Sequence, residues 1–192
     1  MVSRGWSWFQ DRKLDAELWC DGRAPWLRAA LLAYLIYGGV RHLLDPTYRT
    51  WFAGITLAFH ELGHVVFTPL GYTLGLLGGS LMQIIVPLAA AIYLVLRQGD
   101  YFGLAVGQSW LAFSLWELAL YISDAAREEL ALVGFSDRPE HDWSALLTRW
   151  HLLNSCDTIA FVVRAIATVT WLTAMGLGAW LCWRLWSGQR HA

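Results

Sequence analysis

Long apolar runs separated by short polar stretches dominate this chain. No Asp, Glu, Lys, Arg or His lies from Val65 to Leu96. A second run extends from Ala165 to Trp183, bracketed by Arg164 and Arg184. A third, from Tyr101 through Ser123, is interrupted only by Glu117. A fourth, from Thr50 to Phe67, is apolar except for a cluster of ionisable residues near its end. The first, Pro25 to Leu44, carries Arg28 and Arg41, whose long stems let the charged heads reach an interface. A bilayer core takes roughly 20 apolar residues in a helix. The pattern therefore predicts five membrane spans, at about 25–44, 50–68, 76–97, 101–124 and 157–184. Gly71, Gly75, Gly78 and Gly79 predict a turn ahead of the third span. The fold class expected is all-α, a polytopic membrane protein with residues 1–192 as one membrane domain.

Composition sharpens this picture. Hydrophobic residues make up 57% of the 192 positions and charged ones 15%, well below the roughly 25% charged of a soluble domain. Mean hydropathy is +0.41. Disorder is excluded, and a soluble globular domain would have to hide more apolar surface than its size allows. A net charge of −1 offers no basic surface for nucleic acid. Three scattered cysteines make neither a disulfide framework nor a metal knuckle. Residues 1–24 are too charged for a signal peptide and read as an amphipathic segment at the interface. The only long polar connection is 125–156.

Five alternating spans put the N-terminal segment and the 125–156 loop on one face. That face carries eight Lys and Arg against five on the other, which leans the N-terminus toward the cytoplasm. The localisation expected is an integral membrane protein, of a bacterial inner membrane.

One motif carries chemistry. Residues 60–64 read His60-Glu61-Leu62-Gly63-His64, an HExxH. On a helix the two histidines lie one turn apart on one face, where they chelate a single Zn²⁺. Glu61 projects beside them toward the water that the ion activates, as the general base of a hydrolysis. Three ionisable groups within five residues of a span are costly, and each calls for a partner or a function.

An HExxH inside a hydrophobic span resembles the integral-membrane zinc metalloproteases of the site-2 protease group, and the surrounding TLAFHELGHVVFTPLG shares their small and apolar setting. The resemblance implies His60 and His64 as zinc ligands, Glu61 as the base, and an Asp from a later span as the third ligand. The family's N-x-x-P and LDG segment is absent; the nearest counterpart is Ser123-Asp124-Ala125. The chain is also similar to a small family of bacterial membrane proteins with HELGH, Y-x-x-D-A and H-D-W, here Tyr121 to Ala125 and His141-Asp142-Trp143.

Catalytic zinc takes three protein ligands plus water. Asp124 is the first candidate for the third ligand, by the family analogy, and His141 the second. Asp124 could instead pair with Arg127, and Asp142 could orient His141 or cap the helix that follows. Gln83 and Gln108 are intramembrane polar groups that either serve a substrate or join helices. Glu117 is expected to pair with Arg164.

The function expected is a membrane-embedded zinc metalloprotease acting on a membrane-anchored or juxtamembrane peptide. A zinc hydrolase of lipid amides or esters would use the same chemistry, and a non-catalytic membrane protein would keep the metal as a structural staple. Glu61 discriminates, because a structural site has no use for a general base.

Overall fold

The computed structural model describes residues 4–131 and 140–188, with side chains from residue 11 onward. The described residues are helical and contain no strand. In chain order the helices are α1 (Arg4–Trp19), α2 (Trp26–Leu44), α3 (Phe52–Phe67), α4 (Tyr72–Gln98), α5 (Tyr101–Asp124), α6 (Asp142–Arg149) and α7 (Cys156–Gly188). Each expected span coincides with a helix to within a few residues. Two of the helices, α4 and the segment Leu153–Gly188 that contains α7, are long and apolar enough to cross a membrane.

α5 is the central post, packed most extensively on α7 and α4. Its small residues let neighbours close in: a Cβ on Gly107 would sit 2.7 Å from the Ala91 side chain of α4. Ala112, Phe113, Trp116 and Ile122 of α5 meet Ala160, Ala167, Trp171 and Ala174 of α7 in one core. Burial on most sides explains how α5 carries Ser109 and Ser114 in its interior. Ser109 satisfies itself by donating to the Ala105 carbonyl. The outer faces are apolar instead, with Phe161 71% exposed on α7 and Leu96 68% on α4.

Two expectations need correction. Gly75, Gly78 and Gly79 do not form a turn. They lie inside α4, which starts at Tyr72 after a short 3-10 turn at Thr68–Leu70, and they bring α4 against α3. A Cβ on either Gly63 or Gly78 would overlap the other's carbonyl group.

The faces also differ from simple alternation. At one end of the bundle Trp26 of α2 meets Trp186 of α7 edge-on, and Glu17 of α1 pairs with Arg184. Further along, Leu32 lies opposite Gly178, the Trp171 indole donates to the Leu35 carbonyl, and His42 stacks on Trp116. α2 thus runs antiparallel to α7 and parallel to α5. The 45–51 connection then turns back: the Trp51 amide donates to the Tyr34 hydroxyl, and Phe52 lies against Trp110 and Phe113, halfway along α5. α3 starts there and runs in the same direction as α2. Consequently α1 and the described parts of the 125–156 connection, residues 125–131 and 140–156, occupy opposite ends of the bundle, not the same one; residues 132–139 lie outside the described residues.

Candidate metal centre

The centre lies where α3 ends, α4 begins and α5 ends. On α3 the i, i+4 spacing sets the two imidazoles side by side, with ring centroids 4.8 Å apart. Close α3–α4 packing makes the site possible, since a Cβ on Gly79 would sit 2.6 Å from His60 Nε2. α6 supplies the third group. Asp142 Oδ2 lies 3.2 Å from His60 Nε2 and 3.2 Å from His64 Nε2. These three residues form the one group of potential metal ligands found among the described residues.

The outer nitrogens fix the tautomers. His60 Nδ1 donates to Gln83 Oε1 at 2.7 Å, and the Gln83 amide nitrogen donates in turn to the Ser114 carbonyl, which leaves Oε1 as the acceptor. His64 Nδ1 donates to the Gly75 carbonyl at 2.8 Å. Both Nδ1 atoms therefore carry protons, and both Nε2 atoms are left facing one carboxylate oxygen. If the Nε2 atoms are unprotonated, three lone-pair-bearing atoms converge, which is repulsive without a cation between them. Tetrahedral zinc, with ligand bonds of about 2.0–2.1 Å, places its ligand atoms about 3.3 Å apart. The two 3.2 Å separations match that spacing. Ligating histidines characteristically give their second N–H to a carbonyl or carboxylate, as both do here. The donor set thus fits a divalent metal, and the alternative occupant is a pair of protons.

Asp142 is held from several sides. The Tyr121 hydroxyl accepts from the Asp142 amide at 3.0 Å and donates to Oδ2 at 3.3 Å. The next residue, Trp143, donates from its indole to Ser80 Oγ of α4. Just before it, Glu140 accepts from the Tyr72 hydroxyl at 2.8 Å. Burial pushes the Asp142 carboxyl up, but hydrogen bonds to His60 and His64 outweigh it and hold the group below its ordinary value.

The other expected ligands are placed elsewhere. Asp124 is buried and accepts from the backbone amides of Glu129 and Leu130, closing the turn after α5. His141 is the N-cap of α6: its Nδ1 accepts from the Ser144 amide, so its proton sits on Nε2, 3.4 Å from Asp124 Oδ2. Asp124 and His141 thus face each other, with the His141 ring against Tyr121 at 4.3 Å. The third group at the two histidines is the Asp142 carboxylate, a correction to both candidates. The capping role expected of Asp142 falls one residue earlier, because the helix begins at Asp142 itself.

Glu61 is half-buried and lies within electrostatic reach of His64 and Tyr121. Among the described residues it forms no ion pair or side-chain hydrogen bond. Gln83 of α4, expected to serve a substrate or to join helices, does join them, linking His60 of α3 to Ser114 of α5, and it also orients the His60 ring. Its position facing α3 is the signal that could have found it. Glu117 does not meet Arg164; its Oε1 is buried without a partner among the described residues. Arg127 pairs with Asp157 at 3.4 Å and not with Asp124.

No family model, curated protein or solved structure matches the chain.

Proposed function

We propose that the chain is a membrane-embedded zinc metalloprotease cutting a membrane-anchored or juxtamembrane peptide, with α2 to α5 and α7 in the bilayer. The observation that carries this reading is the convergence of His60 Nε2, His64 Nε2 and Asp142 Oδ2 while both Nδ1 atoms are tied back. The exposed faces support the bilayer: Val65, Ile85, Ile92, Val162 and Leu172 point outward, while His60, Gln83 and Ser80 are inside. That inversion suits a lipid surround, which rewards apolar exteriors and internally satisfied polar groups.

His60, His64 and Asp142 would hold the ion, leaving one position open. Bound zinc supplies Lewis acidity toward a peptide carbonyl and lowers the pKa of water at the open position. Glu61 accepts a proton from the attacking water and passes it to the leaving amine, so water adds across the C–N bond and two termini result. Gln83 and the Gly75 carbonyl keep the imidazole lone pairs aimed inward and raise their basicity. Tyr121 holds the Asp142 carboxylate from both backbone and side chain.

Metal analysis of detergent-purified protein beside a peptide-cleavage assay tests this. Glu61→Gln should keep one zinc per chain and lose hydrolysis by at least about a hundredfold. Unchanged hydrolysis in that variant would remove Glu61 from the chemistry, and absence of zinc from the wild type would remove the metal.

A further inference from the structure

The direction of α2 and α3 has a consequence for sidedness, and this inference rests on the membrane reading above. α2 has 19 residues, a length of about 28 Å, enough to cross a bilayer core of about 30 Å. It begins beside Trp186, at the end of the bundle where α4 finishes, α5 starts and α7 ends. It finishes with His42 stacked on Trp116, toward the end where the metal centre lies. α3 has 16 residues, about 24 Å, and starts not at an end but beside Trp110 and Phe113. Thr50, just before it, is buried against Gly38, about two-thirds of the way along α2. Backbone turning back at mid-depth is tolerated in a membrane only where its polar groups are paired within the protein, and here Thr50 is buried, Phe52 is half-buried, and the Trp51 amide donates to the Tyr34 hydroxyl while Trp51 itself is 88% exposed.

We propose that α2, α4, α5 and α7 cross the bilayer while α3 is a re-entrant half-span. α1 and the end of α7 then share the cytoplasmic face, and the His60–His64–Asp142 centre opens to the opposite face. The face assignment follows from charge. Among the described residues, the end with α1 carries Arg4, Arg12, Lys13, Arg23, Arg28, Arg97 and Arg184, seven basic residues. The end with the metal centre carries, among the described residues, Arg41, Arg49, Arg127 and Arg149, four. The richer face is the cytoplasmic one. This narrows the substrate to the non-cytoplasmic juxtamembrane segment of a membrane-anchored peptide.

Single cysteines test the assignment in full-length protein whose Cys20, Cys156 and Cys182 have been replaced. Thr47→Cys samples the α2–α3 connection, Glu140→Cys the rim of the metal centre, and Gln98→Cys the end of α4; all three positions are exposed. Each variant is treated with a membrane-impermeant maleimide in intact cells and again after lysis. The expected pattern is labelling of Thr47→Cys and Glu140→Cys in intact cells, with Gln98→Cys labelled only after lysis. Labelling of Thr47→Cys and Glu140→Cys from opposite faces would make α3 a full span and overturn the re-entrant arrangement. Protection of Glu140→Cys until lysis would put the centre in the cytoplasm. Any other pattern also overturns the proposal. The readout needs no metal or activity, so its failure is distinct from failure of the protease reading, which shows in metal content.

Discussion

His60 and His42 are both buried, 8% and 2% exposed, and both lie on apolar helices, yet their surroundings are opposite. His60 has a partner for each nitrogen: Gln83 for Nδ1 and Asp142 for Nε2. His42 lies against the rings of both Phe113 and Trp116, at 5.5 and 5.3 Å, with Tyr48 at its edge. Neither of its nitrogens has a partner among the described residues. A buried histidine is therefore no signature of a site by itself. What distinguishes His60 is a set of groups from three other helices arranged to fix its tautomer and leave Nε2 facing other donors. His42 is held by shape and stacking, as an aromatic ring would be.

The largest separation between the two comes from truncation. His60→Ala or His64→Ala should abolish stoichiometric zinc, measured by elemental analysis, because two remaining ligands do not hold the ion tightly. His42→Ala should leave the metal in place. Zinc retained in a His60→Ala, His64→Ala double variant would move the site elsewhere. A finer separation distinguishes Asp142 from Asp124. Asp142→Asn weakens a ligand and should eliminate tight binding. Asp124→Asn loosens only the turn and the His141 contact that support Asp142, and should weaken zinc affinity by about 10- to 100-fold. Competition with a chelator of known affinity measures both. The reverse order would make Asp124 the ligand.

These two aspartates also show where the sequence was and was not legible. HExxH placed His60, His64 and Glu61 on one helix, because i, i+4 geometry is local and depends on nothing distant. The five long helices were legible for a similar reason, since an uninterrupted apolar run of about 20 residues is too long for a strand and reads as a helix by length alone. The third group, a carboxylate, depended on tertiary placement. His141 and Asp142 are neighbours, and which of them caps α6 decides which one faces the histidines. Asp is ordinarily the better cap, but His141 Nδ1 takes that role, and Asp142 is turned inward toward Tyr121. The glycines of α4 were misread because a glycine cluster signals a turn as readily as a close helix contact. The turning back of residues 45–51 left no mark in hydropathy, since Thr50 and Trp51 read equally well as the start of a full span.

Removing the support behind His60 should have a smaller effect than removing Asp142. Gln83→Leu deletes the acceptor for His60 Nδ1 and the bond that ties the amide to the Ser114 carbonyl. The imidazole would then be free to rotate, and zinc affinity should fall by about 10-fold while stoichiometry at saturating metal stays at one. Gln83→Glu keeps an acceptor for Nδ1 and should recover part of the loss. An unchanged affinity in Gln83→Leu would show that packing against Gly79 alone holds the ring.

The smallest effect is expected at His42. Phenylalanine in its place keeps a flat ring against Phe113 and Trp116 and removes two buried nitrogens that lack partners among the described residues. A buried polar group without a hydrogen bond costs about 1–3 kcal/mol, whereas an apolar group of similar shape avoids that cost. The added ring volume works the other way, because a well-packed core resists enlargement. His42→Phe should therefore change stability by no more than about 1 kcal/mol, in the stabilising direction where the site relaxes, and should bind zinc as the wild type does. Thermal unfolding in detergent, followed by tryptophan fluorescence, reads the first quantity, and metal titration reads the second. A large loss of stability would mean that His42 does have a partner, such as an internal water bridging to Thr50 or Glu117, whose buried oxygens also lack partners among the described residues. A loss of zinc would tie His42 to the metal centre and erase the distinction between the two histidines.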